Sequence, residues 1–155
     1  MNKDRMRKIQ GDQLLESERF RVVRLLEKCR DGRTRSKDVI EHPGSVAIVP
    51  FVDDDWVCLI NVFRPAVGRT LIEIPAGTLD RVESLPAAAH RELREETGYQ
   101  AAVLESLGEL WMSPGILHEK MHLFVAKGLQ SGRQSLEPNE CIEPRVVRWS
   151  EAVAM

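Results

Sequence analysis

Short apolar runs and loose alternation of apolar with polar residues fill the first half of the chain, and both patterns predict β-strands. The clearest run is SVAIVPF at residues 45–51, which the turn Asp53-Asp54-Asp55 separates from the next strand. Asp31-Gly32 has the composition of a hairpin turn between two weaker strands. The strands predicted here span residues 20–26, 37–41, 45–51, 56–63 and 70–74, and residues 1–16 are expected to form a mobile arm.

After residue 84 the pattern changes from a strand-like to a helical period. Ser84 is a suitable N-cap, Pro86 fits the first helical turn and Gly98 ends the helix, so residues 85–97 are predicted to be α-helical. The apolar residues of this helix form a narrow stripe for packing on a sheet, namely Leu85, Ala88, Ala89 and Leu93. Further strands are predicted at 100–104, 109–112, 121–126 and 145–149, with the opening of a last helix at 150–155.

The order of these elements is a β-rich half, one central helix and then more strands. This order indicates an α+β fold or an α/β/α sandwich, and not a doubly wound Rossmann sheet. At 155 residues the chain is long enough for one domain with its own hydrophobic core.

Composition and charge exclude several classes of protein. A net charge of −2 and a pI of about 6.1 give no reason to expect nucleic acid or an anionic membrane as a partner. No apolar run approaches the roughly 20 residues that cross a bilayer, and the first twelve residues lack an apolar signal segment. We therefore expect a cytoplasmic protein. Its three cysteines are widely spaced, which argues against a disulfide framework or a zinc site.

Three glutamates of the predicted helix carry the candidate chemistry. Glu92, Glu95 and Glu96 are three and four residues apart, so their carboxylates share one face and repel one another. Arg91 lies four residues before Glu95 and relieves part of this repulsion, and a divalent cation would relieve much more. Because all the ligands are oxygens, the favoured ions are Mg²⁺ or Mn²⁺, which are also natural partners of phosphate-bearing substrates.

Taken alone, such an acidic cluster is most often a solvated helix face. The spacing around it favours a site, because at every fixed position of residues 77–99, GTLDRVESLPAAAHRELREETGY, the segment resembles the Nudix box. The final position of the box usually holds an aliphatic residue, and here it is occupied by Tyr99. The residues that carry the resemblance are Gly77, Glu83, Arg91-Glu92-Leu93, Glu95-Glu96 and Gly98-Tyr99.

The resemblance extends from about residue 18 to residue 150, and it is to the ADP-ribose pyrophosphatase branch of the Nudix family. In that branch a proline lies some fifteen residues beyond the box, as Pro114 does after Tyr99. Related nucleotide-sugar hydrolases share parts of this pattern, so the branch marker is less specific than the box. The further segments that look like the branch are Glu41-His42-Pro43-Gly44, Phe63-Arg64-Pro65-Ala66, residues 73–78, and Ser113-Pro114-Gly115 with Glu119.

The resemblance implies a metal site built on the predicted helix. Glu92 and Glu96 would be the main ligands, Glu95 would lie beside them, and the backbone carbonyl of Ala76 would add a ligand just before the box. Gly77 would allow the close backbone approach that this arrangement needs.

The resemblance also implies roles for residues around the metal site. Arg91 and Glu83 would orient the metal-binding glutamates. The substrate-binding residues would be Arg64 and Glu73 in the cleft, with Pro114 and Glu119 in a loop that faces it. Two plainer interpretations stay open: Arg64 and Glu73 as a surface ion pair across two strands, and Pro114-Gly115 as a simple turn.

A carboxylate outside the box is expected to act as the catalytic base, since the box glutamates would be occupied by metal. In the branch this glutamate comes from a late loop, here residues 136–144, which contain Glu137, Glu140 and Glu143. Glu140 is the first choice, because Glu140-Cys141-Ile142-Glu143 best resembles the family segment. All three could also be solvated loop carboxylates.

The activity implied by the resemblance is hydrolysis of ADP-ribose to AMP and ribose 5-phosphate. Two alternatives stay open, namely the same chemistry on another nucleoside diphosphate sugar such as GDP-mannose, and a non-catalytic module that senses a nucleotide. The resemblance further implies a Nudix-type sandwich with a mixed central sheet over residues 44–155. Residues 1–43 would form an N-terminal β-rich extension whose strands reach across a homodimer. Family members continue past the position of Ala152 into a closing helix, of which this chain contains only the opening.

Overall fold

The computed structural model describes residues 9–155, so the first eight residues of the predicted arm lie outside the described part. The described chain divides into two compact units, one containing residues 9–44 and 110–121 and the other containing residues 45–109 and 122–155. The helices are α1 (Leu85–Thr97) and α2 (Trp149–Ala154). The strands are β1 (Asp12–Glu16), β2 (Arg21–Lys28), β3 (Thr34–Glu41), β4 (Ser45–Pro50), β5 (Trp56–Arg64), β6 (Arg69–Glu73), β7 (Ala76–Thr78), β8 (Gln100–Trp111), β9 (Leu117–His118), β10 (Lys120–Gln130) and β11 (Ile142–Arg148).

The first unit contains a four-stranded sheet in the order β1-β2-β3-β9. Strands β2 and β3 form the predicted hairpin around Asp31-Gly32, where Gly32 has the left-handed φ of 81° that such a tight turn requires. Strands β1 and β2 are antiparallel, whereas β3 and β9 are parallel, so the sheet is mixed. The expectation of a mobile arm over residues 1–16 is wrong for β1, because its backbone pairs with β2.

The second unit contains two sheets, in the orders β7-β4-β10-β8 and β11-β5-β6. In the first of these, β4 pairs with the short strand β7 just before the box. In the second, the antiparallel pairing of β11 with β5 begins at Ile142 opposite Val62. Residues 142–144 are therefore in a strand and do not belong to the loop predicted over 136–144.

Helix α1 has the bounds that the sequence predicts, because local interactions fix both of its ends. The hydroxyl of Ser84 accepts a hydrogen bond from the Ala87 N–H, and Pro86 lies in the first turn. At the other end Gly98 adopts a left-handed φ of 78°, and its N–H donates to the Arg94 carbonyl. Within residues 9–155 no helix is long and apolar enough to cross a membrane.

The core of the second unit lies between α1 and the sheet that contains β4. The predicted stripe of α1 faces this sheet, with Ala88, Ala89 and Leu93 buried and Leu85 at its margin. They pack against Val46, Ile48, Leu79, Phe124 and Ala126. Cys58 is fully buried on β5, as its apolar surroundings predict. This packing fixes the rotation of the helix and so determines where its three glutamates point, of which Glu96 is buried together with the stripe.

The α+β class predicted from the order of elements is confirmed. Two of the predicted strands, at 100–104 and 109–112, are parts of the single strand β8, and two short strands, β7 and β9, are not apparent in the sequence pattern. Strands of two or three residues carry too few positions for alternation to show, so only pairing with a neighbour defines them.

Candidate active site

Glu92 lies directly against the backbone of Gly77. The helix places the Glu92 carboxylate over the glycine Cα, so that a Cβ added at Gly77 would overlap the carboxyl carbon and both oxygens. Strand β7 holds Gly77 in this position by pairing with Val46 of β4. Glycine is needed here because of close contact and not because of a special φ.

Glu96 is the most deeply buried of the three glutamates, with 5% of its surface exposed. Its carboxylate accepts a hydrogen bond of 2.9 Å from the Ala76 N–H, at the strand residue before Gly77. Burial raises the pKa of Glu96 to about 8, although the bond from Ala76 lowers it. Burial likewise raises the pKa of Glu92 to about 7, against the effect of Arg91, and the charges of Glu95 and Glu140 raise it further.

Arg91 binds three carboxylates at once. Its guanidinium donates to Glu83 over 2.7 and 3.0 Å and to Glu95 over 2.9 Å, and it lies 2.7 Å from a Glu92 oxygen. Burial lowers the pKa of Arg91, but the bonds and charges of these carboxylates outweigh burial and raise the pKa. Arg91 therefore contacts Glu83, Glu92 and Glu95, three glutamates to which the resemblance gives a role at the metal site.

Arg64 and Glu73 form a two-bonded ion pair across neighbouring strands. The guanidinium of Arg64 on β5 donates to the two carboxylate oxygens of Glu73 on β6 over 2.9 and 2.7 Å. This is the geometry of the plainer interpretation, an ion pair between strands. The pKa of Arg64 is raised first by the hydrogen bonds that it donates to Glu73, and the charges of Glu96 and Glu140 add to the effect. Arg64 is therefore close enough to the box for its charge to interact with that of Glu96.

The three late glutamates have different surroundings. Glu140 accepts a 2.9 Å hydrogen bond from the Glu137 N–H, and its charge raises the pKa values of both Glu92 and Glu96. The Glu137 side chain lies 3.4 Å from Arg81. Glu143 is exposed on strand β11. Of the three late glutamates, Glu140 is the one whose charge raises the pKa values of both Glu92 and Glu96.

Pro114 and Glu119 lie in the other unit. There Glu119 is 3.6 Å from the ring nitrogen Nδ1 of His42. Pro114 lines a cavity of about 490 Å³ together with Trp111, Leu117 and His118. The rings of Trp111 and His118 are 4.9 Å apart, and Trp111 is exposed.

Two residues of the second unit take part in the arrangement without having been predicted. Arg81 lies 3.6 Å from Glu95 and 3.4 Å from Glu137, and it therefore connects the box helix to the late loop. Gln134 donates its side-chain amide to the backbone carbonyls of Glu96 and Ile142. Arg81 occupies one of the variable positions between Gly77 and Glu83, and Gln134 lies in an irregular segment, so neither gives a signal in a single sequence.

The donor atoms around α1 suit a hard divalent cation. Glu92 and Glu96 offer carboxylate oxygens only, and burial raises the pKa of both, although Glu92 also contacts Arg91. Across residues 9–155 no three acidic, histidine or cysteine side chains converge as a ready-made ligand cluster, since Glu95 is turned toward Arg91 and Arg81. The donors on α1 are thus the buried carboxylate of Glu96 and the partly buried carboxylate of Glu92, whereas Glu95 is engaged by two arginines.

Comparison with known proteins adds independent findings. A family model described as the NUDIX domain matches residues 41–155. An ADP-ribose pyrophosphatase of Bacillus subtilis (strain 168) is 33% identical over 127 residues, which cover 81% of this chain and 69% of that protein. The ADP compounds hydrolase NudE of Escherichia coli (strain K12) is 40% identical over 113 residues, which cover 72% of this chain and 58% of that protein.

A solved structure with the description "Crystal structure of ADP compounds hydrolase" resembles this chain in fold. Its TM-score is 0.73 at 30% sequence identity, and the match covers 93% of this chain and 80% of the other. Because the match leaves out only 7% of this chain, it extends into both of the compact units.

Proposed function

The chain belongs to the Nudix family, and from that premise we propose that it hydrolyses the diphosphate linkage of ADP-ribose to AMP and ribose 5-phosphate. The observation that carries this proposal is the pair of carboxylates that α1 holds against the backbone of Ala76 and Gly77, the partly buried Glu92 and the buried Glu96. Two carboxylates buried side by side are costly unless a cation neutralises them. The named relatives, an ADP-ribose pyrophosphatase and an ADP compounds hydrolase, support the choice of substrate.

The proposed metal is Mg²⁺ or Mn²⁺, held by Glu92 and Glu96 with Glu95 and the Ala76 carbonyl as further ligands. Such an ion, when bound, neutralises diphosphate oxygens and lowers the pKa of a coordinated water. Arg91 and Glu83 orient the metal ligands. The Arg91 guanidinium contacts Glu92 and Glu95, and Glu83 in turn holds the guanidinium in place.

Glu140 is the proposed general base. It accepts the proton of the attacking water while the new oxygen–phosphorus bond forms and the bond from that phosphorus to the bridging oxygen breaks. Its charge already acts on Glu92 and Glu96, which supports a location beside the reacting phosphate. Proposed substrate contacts are Arg64, Glu73, Pro114 and Glu119. Of these, Arg64 and Glu73 hold each other by two hydrogen bonds and so present a fixed cation.

The deciding experiment is a substrate panel read by phosphate release with added phosphatase. AMP and ribose 5-phosphate yield phosphate, whereas intact ADP-ribose does not. We expect ADP-ribose to have the highest kcat/KM. AMP formation, followed by chromatography without the metal-requiring phosphatase, should be lost in EDTA and restored by Mg²⁺ or Mn²⁺. A tenfold preference for GDP-mannose or a nucleoside triphosphate would refute the substrate. Turnover that survives exhaustive chelation would refute the metal mechanism, and binding without turnover would indicate a sensor module.

We also propose that the protein is a cytoplasmic homodimer. The β-rich segment within residues 1–43 is the part expected to reach the partner subunit's site, with residues 44–155 forming the hydrolase domain. Light scattering after size exclusion should give twice the mass of the 17.6 kDa chain. A monomer at micromolar concentration that is fully active would rule out a shared site.

A further inference from the structure

Gln134 connects the metal-binding helix to the strand that follows the proposed base. Its side-chain amide donates one hydrogen bond of 2.6 Å to the backbone carbonyl of Glu96 and another of 3.0 Å to that of Ile142. An amide group has two N–H donors, and both are used here. One half-buried side chain thus ties a proposed metal ligand to the residue two positions after Glu140.

The neighbours of Gln134 fasten the same segment to the same helix. The Ser135 N–H donates to the carbonyl of Glu95 over 3.0 Å. Carbonyls in the last turn of a helix have no partner within the helix, so this loop supplies partners for two of them. Leu136 then packs against the buried cluster of Ile60, Val62 and Ile142.

The turn that carries Glu140 is closed on itself between these attachments. The Glu140 N–H donates to the Glu137 carbonyl over 3.0 Å, and the Glu140 carboxylate accepts from the Glu137 N–H over 2.9 Å. The position of the carboxylate therefore depends on where this turn is held. Gln134 attaches this turn on both of its sides. Its own backbone precedes the turn, and its side chain binds the Ile142 carbonyl, which follows the turn.

We propose that Gln134 is a positioning residue for hydrolysis: it sets the place of the Glu140 carboxylate relative to the Glu92 and Glu96 carboxylates on α1. The inference rests on the proposed function, because it needs Glu140 to be the base. A displacement of about 1 Å in a reacting group is enough to cost a large factor in rate. Loss of the two bonds would leave substrate and metal binding in place and would slow the proton transfer.

The test uses Gln134→Met, which keeps the length of the side chain and removes both donors. The matched control is Gln130→Met, the same replacement at an exposed position near the end of β10. We expect kcat to fall about tenfold in Gln134→Met with KM and Mn²⁺ affinity within about twofold of the parent. In the metal-free protein, amide exchange at Glu137 should accelerate because its acceptor is no longer held. The control should change none of these.

A double-mutant cycle with Glu140→Gln separates positioning from general stability. If Gln134 acts through Glu140, Gln134→Met should lower kcat no further once Glu140 is Gln. An equal loss in both backgrounds, or unchanged exchange at Glu137, would overturn the inference.

Failure of the proposed function would look different. It would appear as a parent protein inactive on the whole nucleotide panel, or as normal kcat in Glu140→Gln itself. The exchange measurement would still report in either case whether Gln134 holds the turn.

Discussion

At the scale of single residues, the three box glutamates differ in what balances their charge. Glu95 is shared by two arginines, and Glu92 faces one arginine and a glycine backbone. Glu96 is the most buried of the three, and its hydrogen-bond donor is a neutral backbone N–H. Among them, Glu96 therefore has the strongest need for a further cation, since Arg64 acts on it only through its charge and burial still raises its pKa.

Glu96→Gln should abolish turnover and preserve the fold. We expect kcat to fall more than about 100-fold, because the charge directed at the metal is removed. The neutral amide keeps an oxygen for the Ala76 N–H and removes the cost of burying a charge, so the metal-free Tm at pH 8 should equal or exceed that of the parent. Steady-state kinetics and calorimetry measure the two quantities. A near-normal kcat would show that the Glu96 carboxylate has no role in catalysis.

Gly77→Ala should weaken metal binding through contact alone. The new methyl group would occupy the space of the Glu92 carboxylate and push it aside. We expect Mn²⁺ affinity to fall at least tenfold, on the order of the loss seen when a supporting contact of a metal ligand is removed. Gly115→Ala is the control, since a Cβ there has open space around it. Unchanged Mn²⁺ affinity in Gly77→Ala would mean that Glu92 does not bind the ion.

At the scale of elements, the ends of α1 decide what the loop at 131–141 can contact. Gly98 ends the helix with a left-handed φ and lies against this loop, where a Cβ would come within 2.8 Å of the Gly132 carbonyl oxygen and 2.9 Å of the Gln134 nitrogen. The chain thus uses the same glycine to stop the helix and to admit the segment that carries Glu140.

Gly98→Ala should destabilise the protein by more than its backbone conformation explains. A left-handed alanine costs about 1–2 kcal/mol, and the clash with the loop adds to that cost. Gly68→Ala is the matched control, because Gly68 has a similar φ of 66° with nothing within 4 Å of the added Cβ. Chemical denaturation of both variants isolates the loop contact as the difference. An equal decrease in the free energy of unfolding in both variants would show that the loop moves aside without a measurable cost.

The elements differ in how far the sequence predicts them. Helix α1 is predicted to its last residue, because Ser84 and Gly98 act locally on its ends. Strand β1 is missed, since its pairing with β2 is not local and its side chains are exposed. The box residues follow from their spacing, whereas Arg81 and Gln134 depend on contacts that only the folded chain brings together. The resemblance to the Nudix family drawn from the sequence is confirmed by the family match and by the structural similarity.

At the scale of the whole molecule, stability and metal binding are linked by the protons on Glu92 and Glu96. Both carboxyls have pKa values in the fold, about 7 and about 8, that are above the ordinary glutamate value of 4.5. The folded state therefore binds protons more tightly than the unfolded chain at these positions. This contribution to stability is fully present below about pH 4.5 and is lost as the pH rises through 7 to 8.

The metal-free protein should accordingly lose Tm between about pH 5 and pH 8.5, and metal affinity should rise over the same range as the ligands lose their protons. Saturating Mg²⁺ or Mn²⁺ should flatten the decline in Tm. Glu96→Gln should reduce the slope, whereas Glu151→Gln, at an exposed position in α2, should leave it unchanged. A metal-free Tm that is constant or rises across this range would contradict the linkage.

The capped ends of α1 also have a consequence for insertions and deletions. Each residue of an α-helix turns the chain by about 100° and advances it by 1.5 Å. Because Ser84 and Gly98 hold both ends, one inserted residue between them cannot be absorbed by a longer or shorter helix. It would rotate Glu96 away from Ala76 while leaving the overall composition almost unchanged. The number of residues between Ser84 and Gly98 must therefore stay constant to keep Glu96 in its orientation. Insertions should be tolerated in the turn at residues 53–55 but not within residues 85–97.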